Sequence, residues 1–227
     1  MLFKQLFDSA SSTYTYLIAD GGEAAIIDPV IEHLDRYLEI LADEGLTLRY
    51  ALDTHTHADH ITAMGELREA TGCETVIGSP SGMACASRHL DDGEVLRVGR
   101  LELTALATPG HTNDSYSFYL ESEGMVFTGD TLLIGGTGRT DFQQGDARVQ
   151  YHSLFDVLLD LPAETKVYPG HDYAGNNVSS IGSERSSNPR LQVADADEYA
   201  QIMAELKLDN PRLMDIAVPA NEACGKL

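Results

Sequence analysis

The stretch T54-H-T-H-A-D-H60 places three histidines and one aspartate within seven residues. It directly follows "RYALD" (49–53), an apolar run typical of a short buried strand. Imidazole and carboxylate groups packed this closely would repel one another or lack hydrogen-bond partners unless a metal ion held them together. The stretch therefore predicts a metal site at the end of a strand.

The same arrangement recurs three times further along the chain. "LELTALATPG" leads into His111, "MVFTG" leads into Asp130 and "TKVYPG" leads into His171. A strand end fixes the backbone, and the loop after it lets the side chain point into a cleft. We expect these four strand ends to lie side by side, so that up to seven ligand-type side chains converge.

The residue types leave two arrangements open. One is a mononuclear site in which two histidines and one carboxylate occupy one face of an iron(II) ion, which suits oxygen chemistry. The other is a binuclear site for hydrolysis of an ester or thioester, bridged by Asp130. Its ions would be held by His55, His57 and His111 on one side and by Asp59, His60 and His171 on the other. The cluster contains no cysteine, which excludes a Cys-rich structural zinc site.

The pattern along the chain predicts one α/β domain over residues 1–227, with a short C-terminal helical extension from about residue 190. Strand-type runs and helix-type runs interleave, which indicates sheets packed between helices. A helix is predicted around "DEYAQIMAELKL" (197–208), and the polar stretch "NNVSSIGSERSSNPR" (176–190) is predicted to be irregular.

Composition excludes several classes of partner. The formal net charge is -21, so neither nucleic acid nor anionic lipid is an expected partner, because both need a basic surface. No apolar run approaches the roughly 18 residues of a membrane span, so no membrane association is expected. The first residues lack the pattern of a signal or transit peptide, which predicts a cytoplasmic protein.

The three cysteines, Cys73, Cys85 and Cys224, have no paired spacing. Their odd number and the lack of a CxxC motif predict no disulfide framework and a reducing compartment. Cys73 and Cys85 are expected to be buried, and Cys224 is expected to be more exposed.

"THTHADH", "TPGHT", "FTGD" and "YPGHDY", in this order, resemble the metallo-β-lactamase superfamily. The resemblance implies an αββα sandwich with metal at one edge. "FTGDTLLIGGTGRTDFQQGD", "YHSLFD", "SSNPRL" and "AVPANEACG" are in addition similar to the persulfide dioxygenases, over almost the full length of the chain.

The persulfide dioxygenase resemblance implies an enzyme that oxidises glutathione persulfide with O₂ and water, giving sulfite and glutathione. It implies one Fe(II) per chain, with His55, His111 and Asp130 as both metal ligands and catalytic residues, and a homodimer. The remaining residues of the cluster would orient ligands and water through hydrogen bonds; these are His57, Asp59, His60 and His171.

A glutathionyl group carries carboxylates and therefore needs a cation. Arg139 is the first candidate, with Tyr173 beside the glutathione and Arg190 as a further candidate. Alternatively, Arg139 pairs with Asp141 or Asp146 and pins its own loop.

Two other functions remain open. A binuclear thioester hydrolase of the glyoxalase II kind would share the motif and a glutathionyl substrate, although that family is expected to have a larger, basic C-terminal part. A non-catalytic metal- or sulfur-binding protein is the third class, and a metal site with open coordination positions argues against it.

Overall fold

The computed structural model describes residues 1–211 and 213–226. The first of its two large sheets holds six strands in chain order: β1 (Leu2–Asp8), β2 (Thr13–Asp20), β3 (Glu23–Ile27), β4 (Thr47–Leu52), β5 (Glu74–Gly78) and β6 (Arg88–Leu90). Strands β1 to β3 pair antiparallel, and β3 to β6 pair parallel.

The second large sheet also has six strands: β7 (Val95–Val98), β8 (Leu101–Ala107), β9 (Tyr116–Leu120), β10 (Met125–Gly129), β13 (Lys166–Pro169) and β14 (Ser179–Ser180). The strand order of this sheet is β14-β13-β10-β9-β8-β7. Of the strand pairs described within this sheet, only β10–β13 is parallel. A small hairpin, β11 (Leu132–Leu133) and β12 (Gly136–Thr137), lies between β10 and β13 in the chain.

The helices are α1 (Leu34–Asp43), α2 (Met64–Thr71), α3 (Ala147–His152), α4 (Ile181–Ser187), α5 (Ala196–Glu205) and α6 (Met214–Glu222). Helix α3 continues into a π-helical turn over Ser153–Leu158. Three short 3₁₀ turns cover Ile31–His33, Glu121–Glu123 and Pro189–Leu191.

Strand β2 shows how the sequence builds the layers. Successive side chains of a strand point to opposite faces. Tyr16 and Ile18 face the second sheet, whereas Leu17 and Ala19 face helices, and all four are buried. A strand that is apolar on both faces must be covered on both faces.

Three apolar clusters separate four layers. The first lies between the two sheets and contains Tyr16, Phe118 and Phe127. The second lies between the first sheet and helices α1 and α2, and the third lies between the second sheet and helices α3 to α5. The predicted αββα sandwich is confirmed.

The predicted strand ends are also confirmed. The motif 54–60 follows β4, His111 follows β8, Asp130 follows β10 and His171 follows β13. In contrast, the prediction of an irregular stretch over 176–190 is wrong. Helix α4 lies within it, because Ser180 accepts a hydrogen bond from the Ser183 N–H at the helix start and Ile181 is fully buried.

The cysteine predictions are partly wrong. Cys85 and Cys224 form a disulfide bond, and Cys224 is only 1% exposed while Cys85 is partly exposed. The two residues are 139 positions apart, so no local spacing announces the pair. Cys73 is buried and free, as expected. Across residues 1–211 and 213–226, no helix has both the length and the apolar character needed to cross a membrane.

Candidate metal centre

Asp28, at the end of β3, holds the loop that follows β4. Its Oδ1 accepts the Thr54 N–H at 2.7 Å, and its Oδ2 accepts the Thr54 hydroxyl at 3.0 Å. Asp28 itself has a φ of +52°, a strained conformation for an aspartate. Strain of this kind persists where surrounding contacts fix the backbone, and here they fix the start of the histidine loop.

The hydrogen bonds of Thr54 also set the tautomer of His55. The Thr54 hydroxyl has one hydrogen, which it donates to Asp28, so the His55 Nδ1–H donates to that hydroxyl oxygen at 3.0 Å. The Nε2 of His55 therefore carries a free lone pair. Burial, and then the neighbouring His57 and His111, lower the pKa of His55 well below its usual value, so its imidazole is neutral, which is the form that binds metal.

His111 is oriented by the loop that follows the β11–β12 hairpin. Its Nδ1 lies 2.7 Å from the Arg139 carbonyl oxygen, which can only accept, so Nδ1 carries the proton and Nε2 is free. That Nε2 lies 3.6 Å from Asp130 Oδ2. The approach needs Gly138, since a Cβ there would lie 2.8 Å from His111 Nδ1 and would overlap the Asp130 carbonyl oxygen.

Asp130 presents an ionised carboxylate to the same point. Burial raises its pKa, but the nearby His171, His111 and His55 outweigh burial, and the net pKa is lowered. The buried Oδ1 of Asp130 has no hydrogen-bond partner among residues 1–211 and 213–226. A buried charged oxygen without a partner is costly, and a bound cation would satisfy it.

The structure thus brings together His55, His111 and Asp130, each offering one ligand atom within 4.8 Å of the others. Two imidazoles and one carboxylate, converging on one point, fit a divalent metal ion of the first transition row. Two further groups meet the same distance limit: one is His57, Asp59 and His60, and the other is Asp28, Asp53 and His57.

The group of His57, Asp59 and His60 is already engaged in hydrogen bonds. His57 Nε2 lies 3.2 Å from Asp28 Oδ1, and His60 Nδ1 lies 2.9 Å from Asp59 Oδ2. Within the described part of the chain, the buried His57 Nδ1 and His60 Nε2 have no hydrogen-bond partner, which is the feature that suits a second ion.

His171 lies between the group that contains Asp130 and the group that contains Asp59. Its Nδ1 lies 3.1 Å from the Ser12 carbonyl oxygen and must donate to it, and its Nε2 lies 3.5 Å from Asp59 and 3.6 Å from Asp130. Burial lowers the pKa of His171, but the two carboxylates outweigh burial and raise that pKa to about 10. All seven predicted ligand-type residues therefore meet at one sheet edge.

A cavity of about 510 Å³ opens above His55, His111 and Asp130. A volume in this range is typical of small-molecule sites. The loop 133–143 forms one wall, and residues 208–211 and Tyr173 complete it. Its apolar side chains include Leu133, Ile134 and Phe142, which give that wall an apolar surface.

In the structure, Arg139 pairs with Asp141, which was the alternative to a contact with the substrate. Its guanidinium donates to both carboxylate oxygens of Asp141, at 2.6 and 2.9 Å, and to the Asp209 carbonyl oxygen at 2.8 Å. Arg139 thereby ties the loop to the C-terminal part of the cavity wall. Asp146 instead caps helix α3.

Arg190 and Tyr173 also line the cavity. Arg190 Nη1 donates to the carbonyl and hydroxyl oxygens of Thr137, and burial lowers its pKa. Among residues 1–211 and 213–226, no carboxylate lies within 4.0 Å of its guanidinium nitrogens. The Tyr173 ring is 76% exposed and stacks on His171 with 5.9 Å between the ring centroids.

Sequence reasoning missed three supports of this site: Asp28, Gly138 and Gln143. Gln143, whose φ is +46°, donates from Nε2 to the Thr56 carbonyl oxygen at 2.7 Å. The density of glycine in "IGGTGRT" was the available signal for close backbone approach at Gly138. No local signal marked Asp28 or Gln143.

Residues 9–171 match the model of the Metallo-beta-lactamase superfamily. The chain belongs to this superfamily. Its metal-type residues occupy one edge of the αββα sandwich, as the resemblance of the motifs implied.

The relatives include persulfide dioxygenases. The chain is 46% identical to "Persulfide dioxygenase ETHE1, mitochondrial" of Homo sapiens over 228 residues, which cover 99% of this chain and 89% of that protein. The crystal structure of ETHE1 from Myxococcus xanthus has a TM-score of 0.95 and 54% identity, covering 99% of this chain and 100% of the other. A "Hydroxyacylglutathione hydrolase" of Rhodopseudomonas palustris is 32% identical over 85% of this chain and 75% of its own length.

Proposed function

We propose that this protein is a persulfide dioxygenase that uses one Fe(II) per chain, held by His55, His111 and Asp130. The observation that carries the proposal is the compact group of two imidazoles and one carboxylate at the base of the cavity. The similarity to persulfide dioxygenases over almost the whole chain supports the same reaction class.

Glutathione persulfide is the proposed substrate. In the overall balance, one O₂ and one water deliver three oxygen atoms to the terminal sulfur, and glutathione, sulfite and two protons are released. Iron(II), when bound, supplies the oxygen activation that amino-acid side chains cannot provide. The chain's own residues bind and orient the persulfide, and the apolar cavity wall limits competing water.

His57, Asp59, His60 and His171 would act around the ligands. Burial raises the pKa of Asp59, but the nearby His60 and His171 outweigh it and hold that pKa well below its usual range, so its carboxylate is ionised. Asp59 is already engaged by His60 and His171, which favours hydrogen bonding over a second ion.

For the substrate carboxylates we propose Arg190 as the main cation. Its charge faces the cavity without a carboxylate partner among the described residues, whereas Arg139 is already paired with Asp141. Arg139 would then shape the wall near the glutathione, and the exposed Tyr173 ring would contact the glutathionyl chain. Arg190→Ala should raise KM for glutathione persulfide by about 10-fold or more with a smaller change in kcat, because it removes a charge-assisted hydrogen bond.

The deciding experiment is metal analysis of anaerobically purified protein, combined with O₂ uptake and sulfite production from glutathione persulfide. We expect one iron per chain, and loss of iron and turnover together in His55→Ala, His111→Ala and Asp130→Ala. His152→Ala is the matched control, since His152 lies on the exposed face of α3 and, among the described residues, forms an ion pair only with Asp156. Wild-type iron content and turnover in the ligand variants would refute the assignment.

A second candidate is a binuclear glutathione thioester hydrolase of the glyoxalase II kind. The unpartnered His57 Nδ1 and His60 Nε2 favour it, as does the similarity to a hydroxyacylglutathione hydrolase. Two zinc ions per chain with hydrolysis of S-lactoylglutathione would establish this function instead.

Three further features stay predictions: one domain over residues 1–227, a homodimer and a cytoplasmic location. The Cys85–Cys224 disulfide removes the argument that the cysteines gave for a reducing compartment. Light scattering of the purified protein would test the dimer, and a fluorescent fusion would test the location.

A further inference from the structure

Helix α6 contributes one fully buried polar side chain to the histidine loop. The Asn221 Nδ2 donates both of its hydrogens to backbone carbonyls, to His57 at 2.9 Å and to His60 at 2.8 Å. Its Oδ1 accepts the Thr62 N–H at 2.9 Å. Asn221 is 0% exposed. Its carboxamide thus satisfies three backbone groups of one short loop.

Within residues 1–211 and 213–226, no backbone N–H outside regular elements donates to the His57 or His60 carbonyl. The loop lies between β4 and α2, so neither the strand ladder nor the helix supplies hydrogen bonds to the His57 and His60 carbonyls. Buried backbone polar groups that lose their partner are costly, because water cannot replace it. Without Asn221 the loop would have to move to reach other donors.

The segment that carries Asn221 is fitted closely against the start of α2. The Gly65 N–H donates to the Cys224 carbonyl oxygen at 3.0 Å, and a Cβ on Gly65 would overlap that oxygen. Gly225, with a φ of +83°, approaches so closely that a Cβ there would overlap the Thr62 carbonyl oxygen.

Two further bonds join this segment to the rest of the fold. One is the Cys85–Cys224 disulfide, and the other is the Lys226–Glu69 ion pair. These contacts and bonds together hold the segment that carries Asn221 against the start of α2.

We propose that Asn221 is a positioning residue of the metal centre. It acts through the backbone of residues 57–60, and so fixes the side chains that surround the metal ligands. The His57 ring lies 4.2 Å from the His55 ring between centroids, and Asp59 lies 3.5 Å from His171 Nε2. The inference rests on the proposed metal assignment, because it requires a metal ion at His55.

The test is titration of metal-free protein with Co(II), followed by its d–d absorption, under anaerobic conditions without persulfide. Asn221→Ala removes all three hydrogen bonds, and Asn221→Asp keeps nearly the same volume while removing the amide donors. We expect both variants to bind Co(II) about 10- to 100-fold more weakly, with an altered spectrum, because partners that orient a metal site have effects of this size.

Leu41→Ala is the matched control for lost stability. Leu41 is buried in α1 and lies beside Leu48 and Thr71, at the end of α2 opposite to the histidine loop. It should keep the wild-type Co(II) affinity and spectrum at comparable loss of stability. If Asn221→Ala does not fold, Asn221→Asp carries the test.

Wild-type Co(II) affinity and spectrum in folded Asn221 variants would overturn the proposal, as would an equal change in Leu41→Ala. Because the readout uses neither persulfide nor O₂, it also separates the two proposals. A protein whose Co(II) site depends on Asn221 but which does not oxidise persulfide would refute only the dioxygenase function.

Discussion

Gly138 offers a sharp test of how tightly the proposed metal ligands are held. In Gly138→Ala, the new Cβ would lie 2.8 Å from His111 Nδ1, whereas ordinary contacts begin at 3.4 Å. The ring must therefore retreat by about 0.6 Å, and the overlapped Asp130 carbonyl must move as well. A functional site tolerates displacements of about 0.5 Å, and a 1 Å misplacement can cost about 100-fold in rate.

We expect Gly138→Ala to lose about 10- to 100-fold in O₂ uptake with glutathione persulfide, and to retain less iron after anaerobic reconstitution. Overpacking should lower the free energy of unfolding by about 1–3 kcal/mol, so the protein still folds. Gly136→Ala is the control in the same loop, because its Cβ would meet nothing closer than Arg190 Cζ at 4.0 Å. Equal iron content and turnover in the two variants would refute the reasoning.

Three further predictions concern stability, each measured by urea unfolding. Phe127→Ala should lower the free energy of unfolding by about 3–5 kcal/mol, since Phe127 is 0% exposed between the sheets; a loss below 1 kcal/mol would contradict this packing. Reducing the Cys85–Cys224 disulfide should lower it by about 2–4 kcal/mol, and an unchanged urea midpoint under reductant would show that the bond contributes nothing. The Arg100 guanidinium beside Asp20 holds the pKa of that carboxyl well below its usual range, so its stabilisation is present above the unfolded pKa of about 3.9 and is lost as pH falls. The difference in free energy of unfolding between wild type and Asp20→Asn should therefore be largest near neutral pH and should disappear in acid. A difference independent of pH would exclude the Asp20 carboxylate as its cause.

The sequence was sufficient to predict the layers and the convergence of the ligand-type residues at one sheet edge. Both depend on local patterns: apolar alternation in β2, and a histidine or aspartate just after an apolar run. Sheet formation then brings the ends of β4, β8, β10 and β13 to one edge, so local signals at four places become one site.

The parts that could not be predicted depend on pairs far apart in the chain. Asn221 bonds to residues more than 160 positions away, and Cys85 bonds to a cysteine 139 positions away. Neither pair leaves a periodic or spacing signal. The contacts of Arg139 could not be predicted either, because the sequence does not distinguish a guanidinium that binds substrate from one that pairs with Asp141.

The bond between Asn221 and the histidine loop also gives the metal centre an order of assembly during translation. The ribosome makes residues 54–60 early, but the carbonyls of His57 and His60 acquire their partner only after residue 221 has been added. Both sheets can be synthesised before that point, since β14 ends at Ser180. The loop around the proposed metal ligands therefore reaches its final conformation only after the strands of the sandwich have been synthesised.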